Sequence, residues 1–536
     1  MSTSSSPAVV SKPTGAATYD LVPYPSASFP QSHPNRLAGL AKVFGVDAPL
    51  PSKARVLELG CADGANLLPM AEQMPGASFL GIDYSSKQIE AGQKALEAAG
   101  LKNVQLRHQD ILDFPLTEGK FDYIIVHGVF SWVPEPVREK ILAICSACLT
   151  DRGLAFISYN ALPGWNMRKS LRDMMLFHTA GITDPVTRVR QARALLKFLA
   201  DSVPADRSAY GLLLKSELEI ISKVSDNYLL HDYMEEENTA FYFHQFMGRA
   251  IKHGLQYLGE SSLSHMLPSN FPEKVAKTLG QLGQIIAQEQ YMDFLRNRMF
   301  RQTVLCKAGT AINRAISADR LKDCAFQSLL LPLTGPVDLA AGVALNVPTA
   351  NGQQITTADP FLKAAFSVLV ESNTAAISFA ELLAAASAKA KSHATTPARE
   401  RAKIEEATLA TNLLNLYSRG LIEVHRLPVR CAMTIPAQPA ISAYARQQAT
   451  AARTLTNRLH IAIPADGLGR AVAAACDGSR TVEQIVDHVV SETQAGRLTL
   501  QRDGVAVKEE KEIRDILGAQ VGVALNALAR GGFFAA

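Results

Sequence analysis

No apolar run in this chain approaches the roughly 20 residues that a helix needs to cross a bilayer, so membrane insertion is not expected. The opening MSTSSSPAVVSKPTG lacks a basic stretch followed by an apolar one. Residues 1–18 therefore read as a disordered lead-in rather than a secretory signal. Neither sign of charge dominates, since 54 Lys and Arg against 50 Asp and Glu leave a formal +4. That excess is too small to imply a nucleic-acid partner, although it leaves a local basic face open. Cysteine is sparse and odd in number, with seven scattered residues. This suits reduced thiols in a cytoplasm better than a disulfide framework. Cys145 and Cys148 alone have redox spacing, but they lie in VREKILAICSACL, an amphipathic helical pattern without a second pair, so core packing is expected. His231, His244 and His253 lack a metal-ligand spacing, and no metal is expected.

What is present is ample core material, with 47% hydrophobic and 19% charged residues over 536 positions, enough for about three domains. Between Lys53 and Tyr159, short apolar runs alternate with helical patterns: RVLELG, SFLGID, VQLRHQD, FDYIIVHG and GLAFISYN are the strands. This alternation argues for an α/β fold with a parallel sheet covered on both faces. Residues 164–233 turn helical and read as an insertion suited to a lid. AFYFHQFMGRAIKHG, LQYLGESSL, EQYMDFLRNRMF and RQTVLCKAG then repeat helix and strand, which would complete the sheet. VPTANGQQITTADP reads as a loop. The helix-then-strand patterns over 328–435 and 450–536 suggest two winged-helix-like units, better suited to protein contact or intrachain packing than to DNA.

The turn Gly60-Cys61-Ala62-Asp63-Gly64-Ala65 follows the first strand. A dinucleotide fingerprint would carry Gly at 60, 62 and 65, and two of these are Ala. Glu58, two residues before the turn, would repel a pyrophosphate but attract the ammonium and sulfonium of S-adenosylmethionine. Asp83 ends the second strand, where its carboxylate can accept two ribose hydroxyls from either cofactor. Asp110 follows the third strand, placed for the adenine amino group with Ile111 against the ring. Each residue alone has a bland alternative as a cap, a turn former or a structural carboxylate. Together, at successive strand ends, they mark a ligand crevice.

These residues resemble the class I S-adenosylmethionine-dependent methyltransferases, whose fold is a Rossmann-like doubly wound sheet. VLELGCADGANL is similar to their first motif, which brings Glu58, Gly60, Cys61, Ala62 and Gly64 to the cofactor. LGIDYS is similar to the second, with Asp83 and Tyr84, and QDILDF to the third, with Asp110 and Ile111. FDYIIVHGVFSWV resembles the fourth, which implies that His127, Gly128 and Val129 line the methyl-transfer site. The resemblance covers residues 19–163 and 234–310 as the methyltransferase domain. YDLVPYPSASFPQSHPNRLAGLAKVFGV and HDYMEEENTAFYFHQFMGRAIKHGLQYLGE narrow it. They resemble bacterial methyltransferases with a methyltransferase regulatory domain, a group that includes rickettsial lysine methyltransferases of outer-membrane proteins.

In-line methyl transfer asks mainly for positioning in a water-poor pocket. The fourth motif lacks the Asn/Asp-Pro-Pro-aromatic pattern and a cysteine for covalent attack, which counts against nucleic-acid bases as acceptors. Tyr19, Tyr24, His33, Tyr159 and Trp165 are candidates for an acceptor channel that desolvates a lysine amine and receives its proton. Trp165 and Tyr159 have packing of the lid as their alternative, and His33 in SHPN has a turn role. The resemblance implies a protein lysine acceptor and S-adenosylhomocysteine as product. A small-molecule acceptor, a cofactor-sensing regulator and an NAD-dependent oxidoreductase are the rivals, and oligomeric state is left open.

Overall fold

Val56 to Leu59 are buried without interruption in the first strand, β1 (Arg55–Leu59), as expected where helices cover both faces of a sheet. The computed structural model describes residues 26–206, 208–235, 237–372, 374–391, 398–502, 505–506 and 509–536. The candidate residues Tyr19 and Tyr24, and the lead-in, lie outside these described residues. Further strands are β2 (Ser78–Asp83), β3 (Val104–His108), β4 (Phe121–Val126), β5 (Leu149–Asn160), β6 (Leu255–Glu260) and β7 (Phe300–Lys307). They form one seven-stranded sheet in the order β3-β2-β1-β4-β5-β7-β6.

β1 pairs in parallel with both β2 and β4, so the chain reverses its winding direction beside β1. Ligands gather at such a reversal, at the carboxyl ends of the strands. The sheet is mixed rather than wholly parallel, because β7 runs antiparallel to both β5 and β6. That direction places the start of β7, Phe300, beside Asn160 at the end of β5. Residues from the far end of the methyltransferase region thus reach the same edge as the turn after β1.

The two last strands are tied together by Arg301, which is fully buried. Its guanidinium donates to Glu260 at 2.6 Å, Asp293 at 2.8 Å and Glu289 at 2.9 Å, and lies 3.8 Å from the Phe243 ring centroid. A buried charge of this kind persists only when its donors are matched by carboxylates.

The insertion comprises helices Trp165–His178, Pro185–Ser202, Ala209–Lys223 and Asp226–Met234. Asp184, Ser208 and Ser225 cap the last three through their side chains. They enclose a separate core that includes Leu171, Met175, Leu196, Leu214 and Ile221.

Downstream, strand Ala325–Ser328 lies between Ile377–Ser378 and Ile422–His425, with helices Pro360–Glu371, Phe379–Ala390 and Ala398–Ser418 around it. Its core is continuous with that of the large sheet, and Val424 packs with the helix Pro34–Val43. A Cβ on Gly39 of that helix would come within 2.7 Å of the Val424 carbonyl oxygen, so only glycine permits the approach. The segment expected to be a loop is instead a hairpin, Leu345–Pro348 with Gln354–Thr357. Burial of Val347 draws it into the core, a tertiary effect that outweighs the local turn residues. The final segment has its own core of Leu455, Val472, Ile485, Leu517 and Phe534. That core also takes in Ile441, Ala445 and Ala449, ahead of the expected start at residue 450.

Candidate active site

The chain leaves β1 through a turn that only small residues can make. Gly60, Ala62 and Gly64 all have left-handed backbones, with φ of 76°, 50° and 78°. A Cβ on Gly60 would meet Val129 Cγ2 at 2.4 Å, so strand β1 and the segment after β4 close on each other here. A Cβ on Gly64 would point instead into Leu106 and Leu68, which makes that position one of helix packing as well. Cys61 is buried under Gly81, and burial pushes its thiol well above the usual range.

Three carboxylates crowd this turn. Glu58 is buried, and its Oε1 accepts from Asn66 Nδ2 at 2.8 Å while its Oε2 has no partner. Burial, opposed by the Asn66 bond and reinforced by Asp83 and Asp63, pushes its carboxyl up to about 8. Asp83 accepts from the Ala62 and Ser85 backbone N–H groups, each at 2.8 Å, and burial still raises it. Asp63, which was not singled out in the sequence, accepts from Ala65 N at 3.1 Å and is raised by burial too. Three carboxylates held where water is scarce favour a cationic ligand.

Asp110 and Ile111 follow β3 as expected. Asp110 Oδ1 accepts from Leu112 N at 2.8 Å in a local turn, and Ile111 is buried. Tyr84 is exposed, and its carbonyl lies 3.0 Å from His108 Nε2.

At the end of β4, the His127 ring sits 3.8 Å from Phe29, 5.9 Å from Phe156 and 6.3 Å from Phe300, measured between centroids. Its Nδ1 is 3.1 Å from Ser158 Oγ, which also accepts from Gly128 N at 2.8 Å. Burial lowers the imidazole to about 4, so it is neutral at neutral pH. Gly128 has φ of 68°, and a Cβ there would meet nothing within 4 Å, which leaves open space beside the turn.

The described candidates for the acceptor channel make the following contacts. Tyr159 is buried, stacked on Phe246 at 4.1 Å, with its hydroxyl 3.2 Å from Thr303 Oγ1. Strand alternation turns it into the core rather than towards the crevice. Trp165 is buried at the root of the insertion, edge-on to Trp132 at 6.4 Å, with the Arg168 guanidinium 5.3 Å from its ring. His33 caps the helix Pro34–Val43 by accepting from Asn35 N at 3.1 Å, and burial lowers it to about 3. The aromatic side chains that do meet His127 are Phe29, Phe156 and Phe300, none of them among the expected site residues. Phe29 lies just before the first helix and Phe300 at the end of the EQYMDFLRNRMF segment, and neither position showed that it would reach His127 until the antiparallel pairing of β7 was known.

Among the described residues, no group of three or more His, Cys, Asp or Glu could hold a metal ion, and no helix is long and apolar enough to cross a membrane. The strand order and the crevice beside β1 define an S-adenosylmethionine-dependent methyltransferase, and residues 56–153 match the methyltransferase domain family. Residues 225–307 match the family described as a predicted methyltransferase regulatory domain, and 437–533 that of the PKMT C-terminal winged helix domain. Protein RP789 of Rickettsia prowazekii (strain Madrid E) is 37% identical over 92% of this chain and 90% of its own length. Protein RP028 of the same organism is 44% identical over 45% of this chain and 96% of its own. The structure of PKMT2 from Rickettsia typhi in complex with AdoHcy superposes with a TM-score of 0.84 and 34% identity, over 95% of this chain and 99% of that one. This chain belongs to that family of S-adenosylmethionine-dependent methyltransferases, in which a methyltransferase domain, a regulatory domain and a PKMT winged helix are joined.

Proposed function

We propose that this methyltransferase acts on the side-chain amine of lysine in a protein substrate. The observation that carries the reading is the aromatic collar of Phe29, His127 and Phe300 at the end of β4. Aromatic faces hold an alkylammonium, and the dry surroundings lower its pKa towards the neutral, nucleophilic amine. A neutral His127, tied through Ser158, adds a hydrogen-bonding edge without a competing charge. The likeness to PKMT2, a protein lysine methyltransferase by name, supports the same acceptor.

The residues present fit the cofactor, because Glu58 offers an unpartnered buried oxygen and Gly128 leaves open space beside the turn. Glu58 would receive the methionyl ammonium, Asp83 the ribose hydroxyls and Asp110 the adenine amino group, with Ile111 on the apolar side of the base. The turn Gly60 to Gly64, with Tyr84, Gly128 and Val129, forms the remaining wall. S-adenosylmethionine, when bound, supplies an electrophilic methyl group on a sulfonium and leaves as S-adenosylhomocysteine. The chain's own work is to align the amine with that methyl and to exclude water. Seven free, buried cysteines support a reducing, cytoplasmic setting.

The test is incubation of the purified enzyme with methyl-labelled S-adenosylmethionine and lysate of its host, followed by fractionation and hydrolysis. Label recovered as methyl-lysine from protein is the expected result. Label confined to small molecules or nucleic acid overturns the acceptor and leaves the enzyme class standing.

A further inference from the structure

The helix Leu67–Gln73 runs directly out of the cofactor turn, and the C-terminal winged-helix unit grips it at both ends. At its C-terminal end, Glu72 accepts from the backbone N–H groups of Ala443 at 2.5 Å and Tyr444 at 3.2 Å. The helix Ala443–Ala451 thus begins on a carboxylate of the methyltransferase domain. Gln73 Nε2 donates to the Asn457 carbonyl at 3.4 Å. At the N-terminal end, His460 Nε2 lies 2.8 Å from Asn66 Oδ1, with both residues buried.

The hydrogen bonds of Asn66 leave one consistent assignment. The Phe29 backbone N–H can only donate, and it donates to Asn66 Oδ1 at 2.9 Å. The amide oxygen therefore faces His460 as well, and His460 must offer Nε2–H. Its Nδ1, buried and without a partner, is left unprotonated. The other end of the amide, Nδ2, then spends its hydrogens on Glu58 Oε1 at 2.8 Å and Ser32 Oγ at 3.1 Å. Every position on the Asn66 amide is used, so His460 shares with the Phe29 N–H the hold on its orientation, and through it on the Glu58 carboxylate.

The donor is itself held in place. His460 has a left-handed backbone, with φ of 63°, in a turn organised by Asn457. Asn457 Oδ1 accepts from Leu459 N at 3.0 Å and Ile461 N at 2.8 Å, and its Nδ2 donates to the Gly531 carbonyl at 2.7 Å. The turn is thus anchored to the end of the last helix.

We infer that the C-terminal winged-helix unit completes the cofactor site, with His460 acting through Asn66 as a positioning residue for Glu58. This rests on the reading that Glu58 receives the methionyl ammonium. The site is fully formed only with the C-terminal unit docked.

The test is calorimetric binding of S-adenosylhomocysteine, which keeps that amine, to the full-length chain and its variants, each checked by thermal melting. His460→Phe keeps a ring but removes the donor and weakens binding about tenfold. His460→Gln presents an amide N–H at similar reach and recovers binding to within about threefold. In a Glu58→Gln background, His460→Phe adds less than about twofold, because its route to the ligand is already cut. Wild-type affinity for His460→Phe overturns the inference, as does failure of Gln to rescue it or an undiminished effect in the Glu58→Gln background. Unchanged affinity for Glu58→Gln alone brings down the Glu58 reading itself, a separate result. Should His460→Phe not fold, nitrogen-15 labelling of histidine in the wild-type chain gives the answer. The His460 Nε2 resonance, assigned by its loss in His460→Gln, shifts on ligand addition, and a stationary resonance overturns the inference.

Discussion

The Asp83 carboxylate accepts a hydrogen bond from the backbone N–H of Ala62 at 2.8 Å, joining the end of β2 to the turn that follows β1. Ala62 sits in the left-handed region, where a Cβ is strained, and this bond helps to hold it there. Asp83 therefore shapes the turn, beside its proposed role at the ribose.

Asp83→Ala removes both roles. Cofactor affinity falls about 10- to 100-fold, the equivalent of one or two charge-assisted hydrogen bonds. The melting temperature falls as well, since the Ala62 and Ser85 N–H groups lose their acceptor. Calorimetry and a melting curve on the same preparation check the two effects together.

Glu58 gives the site a proton signature. Its carboxyl is raised from the usual 4.5 to about 8 by burial, with Asp83 and Asp63 the charges facing it. Between these values the folded protein without cofactor holds a proton that the unfolded chain has lost, so this group's contribution to stability declines as pH rises through that window. A bound ammonium beside Oε2 favours the ionised form. Binding at pH 7 therefore releases close to one proton, read as a dependence of binding enthalpy on the buffer's ionisation enthalpy. Glu58→Gln abolishes the release. Buffer-independent enthalpy in the wild type would sink the assignment.

Removing Arg301 is expected to be among the most damaging single changes. Arg301→Ala leaves Glu289 buried without an ion-pair partner and Glu260 and Asp293 with Arg298 alone, at a cost of about 3–5 kcal/mol. Glu289, already raised to about 7, goes higher, because Arg301 is the largest influence opposing its burial. Urea unfolding monitored across the sheet core checks the magnitude, and a loss under 1 kcal/mol would contradict it.

One substitution in the collar around His127 tests the proposed acceptor site apart from the cofactor site. Phe300→Ala lowers kcat/KM for a protein acceptor about 3- to 30-fold, the range of a desolvated cation–π contact. It leaves the dissociation constant for S-adenosylhomocysteine unchanged. Equal losses in both measurements would place Phe300 at the cofactor instead.

How much of this was legible in the chain depended on distance along it. Glu58, Gly60 and Asp83 could be read because strand, turn and helix are local patterns, and the carboxyl ends of parallel strands face one crevice by construction. The two late strands could be read for the same reason, as apolar runs between helices. Tyr159 could not be placed, since residues along a strand alternate between faces and register depends on a partner, here β7 running antiparallel. Phe300 reaches His127 only through that antiparallel pairing.

His460 is the extreme case, 394 residues from Asn66 and yet 2.8 Å away from it. By itself, then, the sequence determined the strands of the sheet, the class of cofactor crevice and two of the three acids at its turn, Glu58 and Asp83, because each follows from the periodicity and turn chemistry of neighbouring residues. Which remote side chains complete the crevice was decided by tertiary structure alone. Burying Asn66 away from water leaves its amide to protein partners alone, and the second donor to its oxygen comes only from the docked C-terminal unit.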